Sequence, residues 1–189
     1  NANVLTQLEL ENRLAAGSLG NAEKIVMIQC VGSRDQERQY CSRVCCGQAV
    51  KNALKLKELN PSARIYVLHR DIRTYAAKEL LYKEAREKGV LFLRYDLEHK
   101  PEVSETGRGL VVKAQDVSIG ANMEIKPDLV VLSTGIIPHE TNDQLGPLLK
   151  VNLDRDGFYL EAHLKLRPLD FSSEGMFLCG LAHSPKYIE

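Results

Sequence analysis

The chain has 189 residues, of which 25 are basic and 25 acidic, so it has no net charge and no electrostatic reason to bind nucleic acid or an anionic membrane. With 44% hydrophobic and 26% charged residues it has the balance of a folded chain, not a disordered one. No apolar run is long enough to span a bilayer; the longest, 129–132 and 136–137, is interrupted by Ser133, Thr134 and Gly135.

Leu5, Leu8, Leu10 and Leu14 fall near helical spacing, which predicts a short amphipathic helix over 4–16. This start lacks the apolar core of a secretory signal, so a cytoplasmic, reducing compartment is expected. Residues 17–23 read as a flexible break. Residues 24–30 are mostly apolar and predict a buried strand. A helix is expected from about Cys41 to 59, with the stripe Ala49, Val50, Ala53, Leu54 and Leu56 and a stop at Pro61. Residues 64–70 give a second strand, 74–88 a second helix closed by Gly89, and 90–96 a third strand. A β-hairpin is expected in 109–128 around Gly120, and a further buried strand at 129–135.

Apolar strands alternating with helices imply an α/β fold, a Rossmann-like parallel sheet with flanking helices and a hairpin. The expected organisation is an N-terminal helix and linker over 1–23, the Rossmann-like domain over 24–135, and a segment of different character over 136–189. In that last segment, 157–168 alternates like a strand of mixed exposure and 175–180 reads as a short buried strand holding Cys179 in the core. The final residues read as a helix start, an ending expected of a piece of a longer protein.

Four of the five cysteines, Cys30, Cys41, Cys45 and Cys46, lie in the pattern C-x10-C-x3-C-C. They occupy the loop where a dinucleotide-binding unit places G-x-G-x-x-G, of which only Gly32 remains. Val31 and Arg34 stand where a pyrophosphate needs bare backbone. Converging thiolates at a strand end and a helix start suit an iron–sulfur cluster, with Arg34 and Arg43 adding positive charge. Structural zinc, a thiol–disulfide pair of Cys41 with Cys45 or Cys46, and inert packed cysteines also fit the spacing. His69, Arg70 and Asp71 follow the second strand, where nucleotide-binding relatives read the ribose, but without the glycine loop a surface salt-bridge network is the expectation. His99, His139 and His163 have no partners at metal spacing, and the charges over 83–88 read as an exposed helix face.

The string CVGSRDxxxxYCSRVCC, with AVKNALKLKELNP, YVLHRDIRTY, YKEAREKGVLFLRYD, DGFYLEAHLKLRP and GMFLCGLAHSPKYIE in order after it, resembles the A-type polypeptide of heterodisulfide reductase and its bacterial relatives. The resemblance runs from about Val4 to Glu189. It implies a flavin- and iron–sulfur-containing electron-transfer protein on a thioredoxin-reductase-like scaffold. By the resemblance Cys30, Cys41, Cys45 and Cys46 bind a [4Fe–4S] cluster. The full protein binds FAD, with Gly180, His183 and Lys186 as candidate flavin contacts and 136–189 as a returning part of the flavin domain. The implied partners are other subunits of a heterodisulfide-reductase-like complex, or iron–sulfur and hydrogenase-type electron carriers. The family's FAD fingerprint and a ferredoxin-like C-x2-C-x2-C run are absent from this sequence. The chain by itself is therefore expected to hold FAD poorly and to be inactive. The rival readings are a nicotinamide-linked thiol/disulfide oxidoreductase and a zinc-stabilised interaction domain.

Overall fold

The computed structural model describes residues 1–188; Glu189, the last residue of the expected flavin-domain segment, lies outside them. The chain forms two compact units, residues 1–32 with 45–134, and residues 33–44 with the segment that follows 134.

The first unit is an α/β layer structure. Its strands β1 (Val4–Thr6), β2 (Lys24–Val31), β3 (Arg64–His69), β4 (Leu91–Arg94) and β8 (Leu129–Thr134) form one parallel sheet in the order β1-β8-β2-β3-β4. Helices α1 (Gln7–Ala15), α2 (Cys45–Leu59) and α3 (Lys78–Glu87) cover one face. Strands β5 (Glu102–Thr106), β6 (Gly109–Asp116) and β7 (Ala121–Ile125) form a separate antiparallel sheet on the other.

The strand side chains sort by parity, as a pleat requires. Ile25, Met27, Ile65, Val67, Leu129 and Val131 pack with Leu10 of α1, Ala49, Val50 and Ala53 of α2 and Ala85 of α3. Val26, Ile28, Leu68 and Val130 pack with Tyr95, Leu110, Val112 and Ile125. Each buried aliphatic side chain contributes roughly 1.5–3 kcal/mol.

The expected helix over 4–16 divides in two. Val4–Thr6 is a strand pairing with β8, and α1 starts only at Gln7. Thr6 and Glu9 form a capping box: Glu9 N–H donates to Thr6 Oγ1 at 3.2 Å, and Thr6 N–H donates to Glu9 Oε2 at 2.7 Å. The helix expected from Cys41 starts four residues later, at Cys45. The expected hairpin is β6–β7, with Asp116 opposite Ala121, and β5 adds a third strand. Among the described residues no helix is long and apolar enough to cross a membrane.

The second unit holds α4 (Asn142–Leu149) and a 3₁₀ turn, Gly180–Ala182, around a small core of Val151, Phe171 and Leu178. The strand expected over 157–168 is replaced by bridges and turns. His163 Nδ1 accepts from the N–H groups of Lys165 and Leu166, both at 3.2 Å, which folds 163–167 back on itself. The strand expected at 175–180 is a single antiparallel bridge, Asp170 with Phe177, after Gly175 at φ 78°. That turn buries Leu178 and leaves Phe177 and Cys179 exposed, so Cys179 is not a core residue.

Candidate cysteine and flavin sites

In the first unit, Cys30 is the last residue but one of β2, with a left-handed φ of 61°, and Gly32 follows the strand at φ 69°. Cys45 and Cys46 form the first turn of α2 and are buried. The Cys46 thiol lies 4.0 Å from the carbonyl oxygen of Asp71, just past the end of β3. The partial positive charge of the 15-residue α2 at its N-terminus favours thiolate over thiol there.

In the second unit, residues 33–44 form an ordered loop. Asp35 Oδ1 accepts from the N–H groups of Glu37 at 3.1 Å and Arg38 at 2.8 Å, and Arg34 N–H donates to the Tyr40 carbonyl at 3.2 Å. The Tyr40 hydroxyl donates to the Ile136 carbonyl at 2.9 Å, and Ile136 N–H donates to Ser42 Oγ at 2.8 Å, so both polar groups of Ile136 are held. Tyr40 stands edge-on to the buried Phe158 with ring centroids 5.5 Å apart. Burial, assisted by Asp156, Asp154 and Asp35, raises the Tyr40 hydroxyl above its ordinary range, so it stays a donor. Arg43, at φ 60°, turns its N–H onto Cys41 Sγ at 3.3 Å, and its carbonyl accepts from the Tyr187 hydroxyl at 3.1 Å.

Among the described residues, three of the five non-glycine residues with positive φ are Cys30, Arg34 and Arg43, all within the cysteine segment. Each costs roughly 1–2 kcal/mol in an L-residue, and such strain collects at functional sites. Cys30 and Cys41 are half-buried, and Cys45 and Cys46 are buried. Among the described residues, no group of three or more His, Cys, Asp and Glu side chains is gathered at metal-binding distances.

The donor set fits a thiolate-held group in its chemistry: four cysteine sulfurs, with Cys41 Sγ accepting a backbone N–H. A further observation agrees. Gln29, the residue before Cys30, is completely buried, and neither atom of its side-chain amide has a partner among the described residues. Nor has His69 Nδ1, at the end of the neighbouring strand. An unsatisfied buried polar group costs about 1–3 kcal/mol. Burial pushes the His69 imidazole below its ordinary range, opposed in part by Asp71. In the sequence Gln29 is hidden within an apolar run, although one amide among apolar strand neighbours is a visible signal.

The three candidate flavin contacts all lie in the second unit. Gly180, at φ 57°, opens the 3₁₀ turn and is exposed. Lys186 Nζ donates to His183 Nδ1 at 2.7 Å, and His183 Nε2 meets Glu161 Oε2 at 2.7 Å. An ammonium only donates, so Nδ1 accepts and the ring proton sits on Nε2, directed at the carboxylate. The Glu161 backbone N–H, then His183 and Lys186, hold the Glu161 carboxyl below its ordinary range. Sequence pattern does not reveal Glu161, because 22 residues separate it from His183.

No family model matches the chain. Among curated proteins it is 40% identical to the A-type iron-sulfur polypeptide of CoB–CoM heterodisulfide reductase from Methanocaldococcus jannaschii, over 98% of this chain and 30% of that protein. It is 38% identical to the second A-type iron-sulfur polypeptide of CoB–CoM heterodisulfide reductase from Methanopyrus kandleri, with the same coverage. Over nearly its full length the chain is similar to a part of the heterodisulfide reductase A-type polypeptides. It spans about 30% of the length of these relatives. In this segment the α/β fold is the thioredoxin reductase type. The thioredoxin reductase of T. acidophilum superposes with a TM-score of 0.62 at 14% identity, over 99% of this chain and 51% of its own. The Lactococcus lactis thioredoxin reductase gives 0.59 at 15% identity, over 99% and 55%.

Proposed function

We propose that this chain is the iron–sulfur electron-relay segment of a flavin-dependent oxidoreductase of the heterodisulfide reductase A type, in which Cys30, Cys41, Cys45 and Cys46 hold a [4Fe–4S] cluster. The observation that carries the reading is the run of four cysteines in C-x10-C-x3-C-C, at a strand end and a helix start, in a chain related to proteins named as iron-sulfur subunits. The cluster would supply one-electron chemistry, and the flavin of the whole protein would couple it to two-electron chemistry.

The chain's own residues supply the setting. The N-terminus of α2 presents positive potential to Cys45 and Cys46, and the Arg43 N–H donates to Cys41 Sγ. Gly180, His183 and Lys186 are the proposed flavin contacts. Glu161 fixes the His183 tautomer, and Lys186 keeps two further N–H donors for an anionic ring or phosphate. The proposed partners are other subunits of such a complex or iron–sulfur electron carriers, and the proposed compartment is the cytoplasm.

Anaerobic reconstitution of the chain and of its four single Cys→Ser variants tests the ligand set. The expected result is a broad visible absorbance near ~400 nm in the wild type, lost or altered in each of the four variants and unchanged in Cys179→Ser. A colourless protein with stoichiometric zinc would favour the structural-domain reading instead. Titratable NADH binding would favour the nicotinamide-linked one.

A further inference from the structure

At the C-terminal end of the parallel sheet the residues turn from apolar to polar, where β2 shifts register between Ile28 and Val31. Met27, Val67 and Val131 are followed, two residues on, by Gln29, His69 and Ser133. Ser133 is satisfied: Gln7 Nε2 donates to its hydroxyl at 3.2 Å, and Asn52 Nδ2 donates to Gln7 Oε1 at 2.8 Å. The carbonyls of Gln29 and His69 are both held by Tyr95. Tyr95 N–H donates to the His69 carbonyl at 2.8 Å, and its hydroxyl donates to the Gln29 carbonyl. The Gln29 amide itself is fully buried and has no partner among the described residues.

A methionine or leucine would fill this position without leaving a polar group unpaired, so an amide here calls for a partner that the described residues do not supply. Its surroundings say what kind. Cys30 is the next residue. Cys45 and Cys46 open α2, and Cys46 lies against the carbonyl of Asp71, two residues beyond His69. The nearby chemistry is that of sulfur, which accepts N–H groups most strongly when it carries negative charge.

We propose that Gln29 sets the reduction potential of the cluster, by donating a side-chain N–H to one of its thiolate or sulfide sulfurs. The inference rests on the cluster reading above. Adding one electron increases the negative charge on those sulfurs, so a donor held against them stabilises the reduced form more than the oxidised one and raises the potential. The amide keeps both its protons throughout, so no proton accompanies the electron at this residue.

The test is a redox titration of the reconstituted full chain, followed by visible and EPR spectra, for the wild type, Gln29→Met and Gln29→Glu. Gln29→Met keeps the length and removes the donor. The expected result is undiminished iron and sulfide content in Gln29→Met with a midpoint potential below that of the wild type, and a lower one still in Gln29→Glu. An unchanged potential in Gln29→Met, with the cluster intact, overturns the proposal and leaves a buried water as the partner of the amide. Should both variants fail to fold, the wild type carrying side-chain ¹⁵N-glutamine decides. A coupled amide nitrogen in pulsed EPR of the reduced cluster supports the proposal, and its absence overturns it. A wild-type chain that takes up no iron and sulfide would overturn the cluster reading, and this inference with it.

Discussion

Glu161 exposes only 10% of its side chain and meets His183 at 2.7 Å. Its carboxyl lies below the ordinary 4.5 in the folded chain, so the unfolded chain binds the extra proton in acid. The stability it adds is present above that ordinary value and is lost as pH falls through the lowered one. Glu161→Gln is therefore expected to unfold at a lower temperature than the wild type at pH 7, with the difference shrinking as the pH falls below about 4.5. Thermal midpoints measured at several pH values check this. At the same scale, the four cysteines are proposed from residue type and spacing, and the three flavin candidates from the family resemblance. Gln29 and Glu161 are not legible in the sequence, because what distinguishes them is a partner, missing or distant, and local pattern does not report partners.

The element scale separates what periodicity conveys from what it misses. Four of the five parallel strands of the first unit are expected wherever a continuous apolar run shows them, and β1 is missed because its three residues lie inside a helical pattern. The T-x-x-E box at Thr6 marks the true start of α1, a signal present in the sequence. Thr6→Ala is expected to cost about 1 kcal/mol of stability, measurable by urea unfolding. Leu10, completely buried between α1 and the sheet, fixes the helix in place. Leu10→Ala is expected to cost about 2–5 kcal/mol by the same assay. α4 is missed because Gly146 and Pro147 break its pattern. Gly146 is accommodated where an added Cβ would stand 3.3 Å from the Val151 carbonyl oxygen, so Gly146→Ala is expected to destabilise the second unit although alanine favours helices.

For the molecule as a whole, alternation of strand and helix was enough to give the α/β class, because most strands of the first unit announce themselves locally. The second unit announces itself poorly. It is assembled from bonds such as Tyr40 to Ile136 and Tyr187 to Arg43, 96 and 144 residues apart in the chain. Its few β-bridges follow turn chemistry, not a pleated run. The loop 33–44, which the sequence presents as an insertion between strand and helix, is held by that unit, and Cys41 comes with it. Binding of a cubane through four thiolates is the central claim. The most direct measurement is the content of iron, acid-labile sulfide and zinc per chain after anaerobic reconstitution. The predicted result is about four irons and four sulfides with no zinc. Stoichiometric zinc, or neither metal after reconstitution without oxygen, would contradict it.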